Sequence, residues 1–191
     1  MSIARDIIYI SIFFWLLPPF RQFRGKFFYF FLILGLSDPT SFLFVKLTSQ
    51  SPEIIQIFLG ILLFYSINFD LSTTRKKMYY HIAFISTLVI IYIIFNNALV
   101  ILLLVHLSIL LKLVRILLIK IFSEDSFNLF YFAIVFYQIS VVLNLFVYLA
   151  DSDIWLIIYY ITLAFQILLA IFFTVFTEES KILILKLKPA D

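Results

Sequence analysis

The sequence contains no cysteine. That excludes disulfides, thiolate metal sites, iron–sulfur ligation and thiol nucleophiles, and it leaves the redox compartment unread. Glycine is nearly as scarce, with only Gly25, Gly35 and Gly60. No two of them share the small-xxx-small spacing that lets membrane helices approach closely. Their scarcity counts against helices that rock past one another and favours a static bundle with bulky aromatic surfaces. Charge is thin as well: 13% of residues are Asp, Glu, Lys or Arg, against about 25% in ordinary soluble domains.

The usual signatures of catalysis are missing. There is no HExxH for a zinc protease, no glycine-flanked serine elbow, no phosphate-binding loop, and no lysine in the last apolar segment to hold retinal. Asp38 has no second buried carboxylate to form a catalytic pair. The chain therefore reads as non-enzymatic, with any cofactor unidentified and with no expectation of nucleic acid as a partner.

What is present is apolar: 64% hydrophobic residues, 20% of the chain being aromatic. A water-soluble fold of 191 residues has too little interior to hide this, whereas lipid accepts apolar side chains on the outside of a protein too. Barrel strands would need segments of about 10 residues with strict alternation. The runs here are longer and apolar at consecutive positions, so the fold class is an all-α integral membrane protein, a bundle of about seven transmembrane helices.

Charges and turn residues divide the chain at intervals near the roughly 20 residues a spanning helix needs. The expected spans are 7–20, 27–45, 54–69, 79–95, 99–119, 127–150 and 154–176, with a tight turn at Asn96–Asn97. Residues 1–176 form one transmembrane domain and 177–191 a short cytoplasmic-side tail. The first segment lacks a basic start and a small-residue cleavage site, so it does not read as a cleavable signal peptide. Its 14 or so residues reach only about 21 Å against a hydrocarbon core of about 30 Å. Either it begins earlier, taking in Ile3 and Ala4, or it lies in the interface, and then six spans remain with the N-terminus inside.

Orientation follows from Lys and Arg in short loops. With seven spans, one face collects Arg21, Arg24, Lys26, Arg75, Lys76, Lys77, Lys112, Arg115, Lys120, Lys181, Lys186 and Lys188. Only Arg5 and Lys46 fall on the other. Lys112 and Arg115, inside the fifth span, are expected to snorkel to the basic face. The acidic connection Asp151–Ser152–Asp153 lies opposite. The arrangement is N-out and C-in, and a bacterial cytoplasmic membrane is the expected home, with an organellar inner membrane as the alternative.

Asp38 is the sharpest candidate site. It falls near the middle of the second span, between Ser37 and Pro39–Thr40. A carboxylate at that depth costs at least ~2.5–3.5 kcal/mol and is normally retained for a reason. One reading is an ion, proton or ligand site on an unwound stretch. The other, which leads, is a helix break in which Asp38 caps a second half-helix starting at Pro39. His106, in the fifth span, offers a proton relay or a metal or cofactor ligand, but a single histidine is more simply a hydrogen-bonded bundle residue. The only other histidine, His81, is distant.

Polar residues also recur on single helix faces: Gln56, Gly60 and Asn68; Tyr137, Ser140, Asn144 and Tyr148; Tyr159, Thr162 and Gln166. They are expected to hydrogen-bond between helices more than to line a substrate path. In the tail, Ile182, Leu183, Ile184, Leu185 and Leu187 stand among Lys181, Lys186 and Lys188 in a pattern too apolar for a free end. They suit the membrane surface or a strand added to a partner's sheet, and the partner is favoured.

Three functions remain open. The leading one is an accessory or scaffolding subunit of a larger membrane complex, with lipid and other membrane subunits as partners. A small carrier is the second. In span count and orientation the chain is similar to the sugar-carrier and PQ-loop families, although it has no Pro–Gln dipeptide and no proline in spans five to seven. A seven-helix sensory module acting through the basic loops or tail is the third.

Overall fold

The computed structural model describes residues 2–67, 75–151 and 154–186. Helix follows helix along the chain: α1 (Ser2–Trp15), α2 (Pro18–Arg21), α3 (Phe28–Thr48), α4 (Glu53–Ser66), α5 (Arg75–Phe95), α6 (Ala98–Glu124), α7 (Leu129–Leu149) and α8 (Trp155–Val175). Two short strands, β1 (Ser126–Asn128) and β2 (Ile184–Lys186), are added to them. Helices α3, α6, α7 and α8 are long and apolar enough to cross a membrane, and α4 and residues His81–Phe95 of α5 are shorter apolar helices.

The helix ends show how a glycine-poor chain turns corners. Left-handed backbone is closed to most residues but tolerated by Asn and Asp. Asn96 (φ 47°) follows α5, Asp125 (φ 45°) follows α6, Asp151 (φ 46°) lies just past α7, and Ser49 (φ 55°) ends α3. Two restarts are capped by asparagine. The Asn97 side-chain oxygen accepts from the Leu99 N–H at 2.9 Å, and the Asn128 oxygen from the Phe130 N–H at 2.9 Å.

Helix α6 lies between α4 and α7, α3 rests on α4, α7 on α8, and the α1–α2 segment fits against α3 and α8. Between apolar helices in lipid, close packing replaces the hydrophobic effect as the source of association. Here aromatic rings supply it. Phe27, Phe30, Phe31, Phe130 and Phe173 are fully buried, with Phe31 and Phe173 centred 4.8 Å apart and Phe130 and Phe173 5.4 Å apart. Trp15 closes this layer, 4.7 Å from Tyr137 and 6.3 Å from Phe173. Gly35 makes the fit possible. A methyl group there would lie 2.5 Å from the Trp15 carbonyl oxygen.

The tail is folded back onto the bundle. Glu178 accepts from the Lys26 backbone N–H at 3.0 Å and from the Tyr131 hydroxyl at 2.9 Å, while its carbonyl accepts from the Asn128 amide at 3.0 Å. Beside it, the Gln22 amide donates to the carbonyls of Phe173 and Phe176. Strand β2 then pairs antiparallel with β1, Asn128 opposite Ile184 and Ser126 opposite Lys186.

Several expectations change. Helix α3 runs unbroken through Pro39, so Asp38 caps no second half-helix; the missing N–H costs one backbone bond, which a well-packed membrane helix absorbs. Helix α6 continues to Glu124, and the Lys112 ammonium turns onto the last turn of α4. The tail strand finds its partner within its own chain: Leu183 is buried, while Ile182, Ile184 and Leu185 stay exposed. The span expected at 7–20 begins earlier, as α1 from Ser2 to Trp15, with the one-turn α2 after it, and the span expected at 54–69 is the helix Glu53–Ser66. Asn68, Asp70, Asp153, Leu187 and Lys188 lie outside the described residues.

Candidate functional site

At the end of the bundle away from the tail, the helices part around a cavity of about 420 Å³. Pro52, Glu53, Leu99, Tyr148 and Trp155, all at helix ends, surround its mouth. It follows α4 from Glu53 down to Leu63, about 15 Å of helix axis. Trp15 and Tyr137 line it as well, and the Trp15 ring belongs to the aromatic layer described above. The bundle is thus hollow in one half and solid in the other.

The hollow half gathers the polar residues. Asp38 lies in the middle of the 21-residue α3, about 15 Å from either end. Its carboxylate is exposed to the cavity and makes no hydrogen bond with another described residue, and Tyr137 and Tyr159 line the same space. Ser41, one turn on along the same face, is buried, and its hydroxyl has no hydrogen-bond partner among the described residues. Ser37 lines the wall too, its hydroxyl already donated to the Leu34 carbonyl at 2.7 Å.

His106 reaches the cavity from α6 and is oriented by Gln138 of α7. The Gln138 side-chain nitrogen lies 2.9 Å from the His106 Nδ1 and 2.9 Å from the His106 carbonyl oxygen. A carbonyl only accepts, so the amide must present its NH2 group here. The same group then donates to Nδ1, which leaves the ring proton on Nε2. The Gln138 oxygen is buried without a partner. His106 is therefore a hydrogen-bonded bundle residue, as expected, and also a wall of the cavity. Gly60 keeps that wall open: a methyl group there would lie 3.0 Å from Val105 and 3.8 Å from the His106 Nε2.

Of the residues singled out in the sequence, Asp38, His106, Asn144 and Gln166 come together on this cavity, with Gln56, Gly60, Tyr137, Tyr148 and Tyr159. Pro39 and Thr40 do not line it. Bonding between the polar faces is sparser than expected: Gln166 donates to the Ser140 hydroxyl at 3.0 Å, but Gln56, Tyr137, Asn144, Tyr148 and Tyr159 bond to no other described side chain across helices. Thr162 and Ser140 donate to carbonyls of their own helices. The faces line open space more than they cross-link.

Trp15, Ser41, Glu53, Gln138 and Trp155 were not apparent from the sequence. Gln138, a lone amide inside an apolar run, carried a weak signal; the others sit at helix ends or among similar residues. Among the described residues, no group of three His, Asp or Glu is placed to hold a metal ion. No protein-family model matches this chain, nor does any curated protein or solved structure.

Proposed function

We propose that this chain is a small solute-binding membrane protein of the carrier type, with its binding cavity open to the outer face. The observation that carries this reading is a cavity that ends near mid-span beside Asp38, with a solid aromatic layer beyond it. Sites for substrates and coupling ions lie at such depths in transporters, and an intramembrane carboxylate marks an ion or substrate path by default. The volume of about 420 Å³ falls within the range of small-molecule sites.

This reading takes seven crossings, α1 with α2 and then α3 to α8, N-out and C-in. The excess of Lys and Arg toward the tail end directs the cavity mouth outward. A cytoplasmic membrane of a bacterium suits this orientation, and the binding role asks for no catalysis.

The absence of native cysteine makes the test clean. Asn144→Cys and Gln56→Cys place single thiols on the wall, and Lys186→Cys places one on the exposed tail strand. A membrane-impermeant thiol reagent added outside intact cells is expected to label the first two and to reach the third only after permeabilisation. Unlabelled wall thiols beside a labelled tail would reverse the orientation; no labelling of the wall from either side would sink the cavity reading.

A second reading, an accessory subunit of a larger membrane complex, draws support from α5. That helix packs chiefly against α6 and leaves Ile82, Ile85, Val89, Ile90, Ile93 and Ile94 exposed, a face for lipid or for a partner helix. Stoichiometric partners retained in mild detergent would favour it, and a stable, monodisperse monomer would remove it.

A further inference from the structure

We propose that the cavity takes an organic cation, a protonated amine or quaternary ammonium carrying an apolar body. This deepens the solute-binding reading and rests on it.

Charge is the first argument. Asp38 and Glu53 line the cavity, and among the described residues no lysine or arginine does. His106, with Nδ1 accepting from Gln138, adds no positive charge in that tautomer. An anion entering this space would meet two carboxylates and no counter-charge. A neutral solute would leave Asp38 unpaired at a depth where an uncompensated charge costs at least ~2.5–3.5 kcal/mol.

The walls supply the second argument. Trp15 and Tyr137 lie beside one another at depth, while Tyr148, Trp155 and Tyr159 form a continuous run of rings nearer the mouth, centred 5.5 Å and 6.2 Å apart in turn. Aromatic faces attract cations through their quadrupole, Trp most strongly, and they accommodate an apolar body equally well. Ser41 adds an acceptor: its buried, unpartnered hydroxyl sits one turn from Asp38 and can take an ammonium N–H that the carboxylate does not.

Size and ligand count separate an organic cation from a metal ion. Calcium takes six to eight oxygens and magnesium a near-ideal octahedron. The described residues hold no group of three His, Asp or Glu placed for a metal, and a cavity of about 420 Å³ is far larger than a bare ion needs.

Both tryptophans of the chain, Trp15 and Trp155, line the cavity, so intrinsic fluorescence reports its occupancy. The full-length protein in lipid nanodiscs would be titrated with 2-phenylethylammonium, 2-phenylethanol and 3-phenylpropanoate, with tetraethylammonium as competitor. A saturable change is expected with the ammonium, reversed by tetraethylammonium, with affinity for the alcohol lower by about tenfold or more and no saturable response to the carboxylate. Asp38→Asn should bring the ammonium down to the level of the alcohol. The wild-type ranking stands as the test even if that variant misfolds. Equal saturable responses to all three probes would overturn the cation assignment while leaving solute binding intact. A flat response to every probe would also overturn it, and the outside labelling of Asn144→Cys would then decide separately whether the cavity is open.

Discussion

The Lys112 ammonium donates to the Phe64 carbonyl oxygen at 2.6 Å and sits 4.2 Å from the centre of the Phe64 ring. Helix α4 ends at Ser66, so Phe64 belongs to its last turn, where carbonyls run out of backbone donors. The lysine of a neighbouring helix supplies both the hydrogen bond and the positive charge that a helix C-terminus favours. One residue therefore ties the last turn of the short α4 to α6.

Lys112→Met keeps the length and apolar stem but removes both interactions. A loss of about 1–3 kcal/mol is expected, the cost of stripping a charged partner from a carbonyl. It would be read as a lower thermal midpoint in detergent, and an unchanged midpoint would show that the contact is idle.

Gly35→Ala should be worse tolerated than its size suggests. The added methyl would meet the Trp15 backbone oxygen at 2.5 Å, and neither neighbour is a flexible side chain that can move aside. Overpacking of this kind costs about 1–3 kcal/mol. The expected signature is reduced stability together with a shifted tryptophan emission, because Trp15 must leave its place on Tyr137. Normal stability with unchanged emission would mean that α1 does not rest on α3 as described.

Glu178→Ala removes two acceptors that tie the tail to Lys26 and Tyr131. Amides of 126–128 and 184–186 should then exchange hydrogen faster, by roughly tenfold, while those around Asp38 keep their protection. Equal acceleration in both regions would mean that Glu178 stabilises the whole bundle and not the tail alone.

Much of this arrangement was legible in the sequence, and the exceptions have physical causes. Asp38 stood out because a carboxylate inside an apolar run is costly in lipid and is normally retained for a reason. The helix positions followed from hydropathy, and the turns at Asn96–Asn97 and Asp151 from residues that accept left-handed backbone. Pro39 misled, since a proline removes one hydrogen bond without obliging a helix to stop. The His106–Gln138 pair could not be read, because its partners are 32 residues apart and their meeting depends on the rotation of two helices. The tail's strand pattern was visible in Ile182 to Leu185, but its partner was not: Ser126-Phe127-Asn128 is too short to announce a strand. The polar faces were grouped by helical spacing, which cannot say whether such faces touch one another or stand apart around a space.

The aromatic layer has an electrical meaning. In the proposed outward-open orientation, water that enters the cavity carries the outer potential with it, so insulation begins only where Trp15 and Tyr137 close the space. The membrane voltage, worth about 2.3 kcal/mol per elementary charge at 100 mV, then falls mainly across the layer built from Phe27, Phe31, Phe130 and Phe173. A charge resting at Asp38 has crossed half the thickness of the protein and almost none of the field. Whatever work the voltage does on it is concentrated in the short passage beyond those rings.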